Sequence, residues 1–116
     1  MKREIVDYIE DIIEAMEKAM EFVENMEYED FIKDDKTVYA VIRALEVIGE
    51  AVKNIPYEVR SLYPDIPWKE MAGIRDKLIH DYFGVDLLII WRTVKFSIPN
   101  LTSAFDKILK DLETGD

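Results

Sequence analysis

The sequence predicts an all-α protein, an up-and-down bundle of four main helices plus a short connecting helix, in a single domain over residues 1–116. Apolar residues recur at helical spacings over long segments, and no segment alternates with the period of a strand beyond chance. A chain of 116 residues with 49% hydrophobic residues can also bury one core, and no repeat or linker divides it.

The first helix is indicated by an apolar stripe that begins at Ile5. Its members are Ile5, Ile9, Ile12, Met16, Ala19, Val23 and Met26, widened by Val6, Ile13 and Met20. Acidic residues occupy the other side, which we interpret as a solvated face. The acid-rich residues 27–35 break this pattern and are predicted to connect the first helix to the second.

The second helix is predicted to begin near Lys36, capped by Asp34 or Asp35, and to end before Pro56. Its buried face is predicted to consist of Val38, Val41, Ile42, Leu45, Ile48 and Val52. A short connecting helix is predicted over residues 57–63, before two prolines mark a loop.

The third helix is predicted from about Trp68 to Gly84, with Pro67 suited to its first turn. Its predicted apolar face is Met71, Ile74, Leu78 and Ile79.

Asp86 reads as the N-cap of a fourth helix, with Val85 and Ile90 spaced for a hydrophobic staple. An apolar series continues across Pro99, which predicts a kink there rather than an end. The series is Leu87, Trp91, Val94, Ile98, Leu101, Phe105, Ile108 and Leu112.

Composition excludes several kinds of site. The chain has no cysteine, which rules out disulfides, thiolate zinc sites and cysteine nucleophiles, and its single histidine argues against a histidine-rich metal site. It has neither an apolar run of about 18 residues nor a secretory signal, so we expect a cytoplasmic protein without membrane contact.

The net charge of −10 is distributed unevenly along the chain. Residues 1–36 carry 13 acids and 5 bases, whereas residues 43–95 carry 8 of each. The middle of the chain is therefore the stretch where a phosphate can bind without repulsion.

That neutral stretch contains the most informative motif, residues 75–82, with Arg75, the lone histidine His80, and Tyr82. Histidine exchanges protons near neutral pH, and arginine binds phosphate oxygens through its planar guanidinium. Such a pair can cleave RNA, because an imidazole can deprotonate the ribose 2′-hydroxyl while a guanidinium stabilises the charged phosphate. This chemistry requires no metal and spares DNA, which lacks that hydroxyl.

Helical geometry complicates this interpretation. On a regular helix with about 100° per residue, positions 75 and 80 point about 140° apart, whereas Arg75 and Tyr82 share a face. Either the helix unwinds before Gly84, or two copies of the chain pair so that their motifs face each other across a symmetric cleft. The alternative interpretation is an inert motif, in which His80 is a structural histidine and Arg75 pairs with Asp76 or Asp81.

Other candidate residues have two interpretations each. Lys69, Lys77 and Arg92 either line an RNA path or are ordinary surface bases. Trp68 and Trp91 read as core or interface anchors rather than base-stacking platforms.

The segment 67–82 resembles the signature of the HEPN superfamily, specifically its HepT toxin branch. That branch has an arginine, four residues, a histidine, one residue and a tyrosine, which here are Arg75, His80 and Tyr82, with Asp76 as the usual polar residue. Residues 48–51 and Trp91 also match, so the resemblance covers nearly the whole chain.

The resemblance implies a homodimeric, metal-independent endoribonuclease toxin without a cofactor, in which Arg75 and His80 are catalytic and Asp76 and Tyr82 support them. It also implies a minimal nucleotidyltransferase antitoxin that AMPylates Tyr82. Negative charge and bulk on that tyrosine would repel an RNA phosphate.

Two other functions remain open at this point. The chain could be a noncatalytic nucleotide-binding or docking subunit of a nucleotidyltransferase complex, which its acidity favours. It could also be a purely structural acidic subunit.

Overall fold

The computed structural model describes residues 3–80 and 86–115, and describes the backbone alone at residues 75 and 78–80. Within these ranges every regular element is helical, which confirms the predicted all-α class. The helices are α1 (Ile5–Phe22), α2 (Tyr28–Lys33), α3 (Asp35–Lys53), α4 (Tyr57–Arg60), α5 (Trp68–His80), α6 (Leu87–Arg92) and α7 (Ile98–Glu113), and a π-helical turn at Thr93–Ser97 joins α6 to α7.

Helix α1 lies at the centre of the bundle, with α3 packed on one side and α7 on another, while α5 packs against α3. The apolar stripe predicted for α1 faces this core, and Ile9, Ile12, Met16 and Ala19 are fully buried. The periodic apolar positions therefore drive the association of the long helices.

The segment 27–35, predicted as a connection, contains the additional helix α2. A capping box between Glu27 and Asp30 begins it, and Phe31 is fully buried with its ring centroid 5.3 Å from that of Trp91. One aromatic residue among acids gives no periodic signal, so the sequence pattern did not reveal this helix.

Both ends of α3 carry caps. The Asp34 carboxylate accepts hydrogen bonds from the backbone N–H and the hydroxyl of Thr37, as the predicted N-cap requires. At the other end the Arg60 guanidinium donates to the carbonyl oxygens of Val52 and Ile55 at 2.7 and 2.8 Å. Helix α4 ends at this arginine, three residues earlier than predicted.

The fourth predicted helix is present as α6 and α7, joined by the π-helical turn just before Pro99. Asp86 caps it by accepting from the N–H groups of Leu88 and Ile89, as predicted. The wide turn at Thr93–Ser97 precedes Pro99, which lies in the first turn of α7. Proline has no N–H for the preceding turn and its ring crowds that turn, so a π-helical turn accommodates it. The predicted helix stop at Gly84 and the staple to Val85 lie outside the described residues.

Within the described ranges, no helix is both long enough and apolar enough to cross a membrane.

Candidate functional site

The helix that carries the candidate site, α5, is anchored at its first residue. The indole N–H of Trp68 donates to the Tyr63 carbonyl oxygen at 3.0 Å, and its ring packs edge-on against Phe105 with centroids 5.5 Å apart. Trp68 is 7% exposed and Trp91 is 9% exposed. Both tryptophans therefore act as core anchors, as the sequence predicts.

A second contact anchors the start of α5, through the side chain of Tyr63. The Tyr63 hydroxyl donates to Asp111 Oδ2 at 2.6 Å. This hydrogen bond and partial burial raise the pKa of Tyr63 to about 12 and, from the other side, the same bond lowers the pKa of Asp111. The start of α5 is thus tied through Tyr63 to the end of α7.

Further along α5, Asp76 joins the helix to α3. Its carboxylate oxygens accept from Lys53 Nζ at 3.3 and 3.4 Å, and both side chains are largely exposed to solvent. Lys53 was not among the site residues predicted from the sequence, because no local pattern links positions 53 and 76. It lies beside the segment that carries Arg75, and only the packing of α5 on α3 reveals it.

The backbone of α5 is regularly α-helical from Trp68 through His80. The unwinding before Gly84 that the sequence left open therefore does not occur between positions 75 and 80, and the remaining residues before Gly84 lie outside the described part of the chain.

A single helix thus separates the two predicted catalytic positions, Arg75 and His80, by about 140° around its axis. Their side chains and the whole of Tyr82 lie outside the described part of the chain, so the contacts of this motif stay predictions. Asp76, the predicted supporting residue, is described and exposed.

The bases considered for an RNA path are Lys69 and Lys77 on α5 and Arg92 on α6. Lys69, Lys77 and Arg92 are all exposed. Exposure makes these side chains available to a phosphate backbone without identifying a ligand. Among the described residues, no group of three histidine, cysteine or acidic side chains could hold a metal ion.

An apolar groove of about 350 Å³ lies between α5 and the π-helical turn, and we refer to it as the α5–α7 groove. Buried core residues, including Met16 and Leu45, form its floor. Its walls carry Glu70, Met71 and Ile74 from α5, and Thr93, Ser97, Ile98 and Leu101 from the opposite side.

A family model described as "Ribonuclease HepT-like" matches residues 12–108, which include all of α5. The chain belongs to the HepT-like ribonuclease family. This membership confirms the family resemblance seen in the sequence, and the enzyme class predicted there agrees with the family's description.

Individual relatives support the same family. A probable ribonuclease HepT of Thermococcus cleftensis is 57% identical over 110 residues, covering 95% of this chain and all of the relative. Two candidate RNases of Methanocaldococcus jannaschii are 55% and 54% identical, covering 99% and 97% of this chain and 95% and 97% of their own lengths. No solved structure matches the chain significantly.

Proposed function

We propose that this chain is a metal-independent endoribonuclease, the toxin of a toxin–antitoxin pair, acting in the cytoplasm as a homodimer. The observation that carries the proposal is the Arg75–His80–Tyr82 sequence motif, whose first two positions lie on the anchored helix α5, in a chain whose relatives are named RNases. The motif also lies in the neutral stretch of an otherwise acidic chain.

In the proposed reaction the His80 imidazole accepts the proton of a ribose 2′-hydroxyl. The resulting oxyanion attacks the adjacent phosphorus, and the bond from phosphorus to the 5′-oxygen of the next nucleotide breaks. That leaving oxygen receives a proton from an imidazolium or from water. Arg75 binds the phosphate oxygens and stabilises the charge they gain in the transition state.

Because α5 holds positions 75 and 80 about 140° apart, we propose that a site combines Arg75 of one copy with His80 of the other. A mixing experiment tests this arrangement. Arg75→Ala and His80→Ala proteins are each expected to be inactive. In a heterodimer of the two, one of the two sites retains both residues, so mixing after subunit exchange should restore about a quarter of the parental activity.

The assay uses purified protein and RNA in EDTA, with a DNA of the same sequence as a negative substrate. Cleavage that survives in His80→Ala would remove the assignment of this histidine. Activity in each single variant alone, or none after mixing under verified exchange, would contradict the shared site.

We further propose that the partner antitoxin is a minimal nucleotidyltransferase that AMPylates Tyr82. The tyrosine oxygen would bond to the α-phosphorus of ATP, pyrophosphate would leave, and the phenolic proton would pass to solvent. Incubation with the enzyme and ATP should add AMP to the parent but not to Tyr82→Phe, as read by mass spectrometry. A Tyr82→Phe toxin that the antitoxin still adenylylates would refute the assignment.

The net charge of −10 favours a second candidate, a noncatalytic nucleotide-binding or docking subunit of a nucleotidyltransferase complex. Calorimetry with ATP and AMP separates the two functions. Tight nucleotide binding without RNA cleavage would support the second.

A further inference from the structure

Gly73 is a glycine that the packing of the bundle does not require. It lies in the middle of α5 and is exposed. Apart from its own helical turn, no atom of the described residues lies within 4 Å of the position that a Cβ at Gly73 would take. Its φ is not positive, unlike that of Gly115 at 78°. Alanine would therefore fit at this position, and it would make the helix more stable.

Gly73 has a lysine on each side along the outer surface of α5. Lys69 and Lys77 lie four residues before and after it, so the three positions form one ridge that extends about 12 Å along the helix axis. Both lysines are exposed, and neither forms an ion pair with a described residue. We refer to Lys69, Gly73 and Lys77 as the α5 ridge.

The acidic side chains of α5 that the structure describes flank this ridge. Asp76 accepts from Lys53 of α3 at 3.3 and 3.4 Å, which balances the charge on that flank. Glu70 lies on the other flank, where it lines the α5–α7 groove. The α5 ridge therefore has a positive charge at each end and uncovered helix backbone between them.

A ridge of this kind suits the sugar–phosphate backbone of a single-stranded nucleic acid. Lysine ammonium groups bind phosphate oxygens whatever the base, and a glycine allows a ligand to approach the helix backbone closely. A second copy placed over Gly73 by a two-fold axis would instead bring the same lysines of both chains together, and like charges repel.

We propose that the RNA strand runs along the α5 ridge, with its phosphates bound by Lys69 and Lys77 and its backbone in contact with the helix at Gly73. The inference rests on the proposed function, because it takes RNA as the ligand and names the residues along which the strand reaches the site. Helix α5 ends at His80, the proposed base, so a strand that follows the ridge is directed towards that end.

Binding of a fluorescein-labelled single-stranded RNA to the His80→Ala protein, measured by fluorescence anisotropy, tests the ridge without cleavage. Adding Gly73→Leu should weaken binding by about tenfold, because the new side chain occupies the space of the strand. Ser103→Leu is the matched control, at an exposed position within α7, and should leave the affinity unchanged. Circular dichroism confirms that each variant remains helical.

The variant Gly73→Ala separates a contact with RNA from a structural role. Its methyl group meets no described residue outside its own helical turn, so the protein should unfold about 4 °C higher than the parent. Its RNA binding should nevertheless weaken, because the methyl group keeps the strand away from the helix. A Gly73→Ala protein that is less stable than the parent would show that packing requires this glycine, and would overturn the proposal.

The salt dependence of binding tests whether the lysines contact phosphates. Each such contact with a single strand contributes about 0.7 to the slope of log K against log salt concentration, so Lys69→Gln and Lys77→Gln should each reduce the slope by about that amount. Lys36→Gln should not, because Lys36 lies about 25 Å along α3 from Lys53. An unchanged slope in both ridge variants would overturn the proposal, whether or not Gly73→Leu folds.

Sedimentation equilibrium identifies the competing occupant. If Gly73→Leu changes the mass of the protein in solution, a second copy contacts Gly73 and the proposal fails. It also fails if Gly73→Leu binds RNA as tightly as its background, and RNA cleavage by the parent would then leave the proposed function standing. If the ridge variants weaken RNA binding but the parent cleaves no RNA, the ridge stands and the proposed function fails.

Discussion

Lys53 Nζ lies 3.3 Å from Asp76 Oδ1, so the last residue of α3 pairs with the residue that follows Arg75 on α5. The two side chains are 36% and 55% exposed, and ion pairs in such settings contribute only about 0–1 kcal/mol to stability. We infer that this pair acts chiefly by holding the motif helix in position rather than by stabilising the bundle.

The variant Lys53→Met should separate these two effects. The free energy of unfolding should change by less than about 1 kcal/mol. Ribonuclease activity should fall by roughly tenfold, since small displacements of reacting groups are costly. Lys18→Met is the control, because it removes an exposed ion pair to Glu14 far from the motif. A loss of stability without a loss of activity would contradict the positioning role.

The buried aromatic residue of α2 provides a second prediction. Phe31→Ala should lower the free energy of unfolding by about 3–5 kcal/mol, because it leaves a cavity against Trp91. Ile32→Ala, at the next position and 38% exposed, should cost much less. Urea unfolding measures both. Equal losses in the two variants would show that α2 does not pack as described.

The Tyr63–Asp111 hydrogen bond predicts a dependence of stability on alkaline pH. The pKa of Tyr63 is raised to about 12 in the folded protein, mainly by its bond to Asp111. This contribution to stability should be complete below about pH 10, the ordinary tyrosine value, and be lost as the pH rises through about 12. Thermal unfolding of the parent should show this loss, and Tyr63→Phe should not.

The same pair predicts a spectroscopic result. Tyr63 should ionise with a midpoint of about 12, seen as a rise in tyrosinate absorbance that is absent in Tyr63→Phe. At acidic pH the dependence of stability on pH has the opposite sign, because the pKa of Asp111 is lowered in the folded protein. Its contribution to stability is complete at pH values above the ordinary aspartate pKa and is lost as the pH falls through the lowered pKa. A missing step with a midpoint near the ordinary tyrosine value of about 10 would be incompatible with this hydrogen bond.

The backbone conformation of Asn25, which follows α1, predicts how substitutions there affect stability. Its φ of 63° lies in the left-handed region, where asparagine and glycine are tolerated and other residues are strained. Asn25→Ala should therefore lower stability by roughly 1–2 kcal/mol. Asn25→Gly should stay close to the parent, and thermal melts of the two proteins measure the difference. A more stable Asn25→Ala protein would argue against this conformation.

Much of the bundle could be predicted because its signals are local. The repeat of apolar residues in α1 and α3 follows directly from the helical period, and Asp34 and Asp86 cap helices through neighbouring N–H groups. Helix α2 could not be predicted in this way, because Phe31 becomes meaningful only when Trp91, sixty residues later, is packed against it. The π-helical turn before Pro99 likewise depends on how the chain accommodates a missing N–H.

By itself the sequence determined the helical class and the family, since residue type and spacing are sufficient for both, and it predicts the chemistry of the motif. The tertiary structure decided how the motif helix is held. Trp68 and Asp76 are fixed by residues from other elements, and the regular backbone of α5 keeps positions 75 and 80 on different sides. Contacts between distant segments depend on packing in three dimensions, which no local pattern of residues encodes.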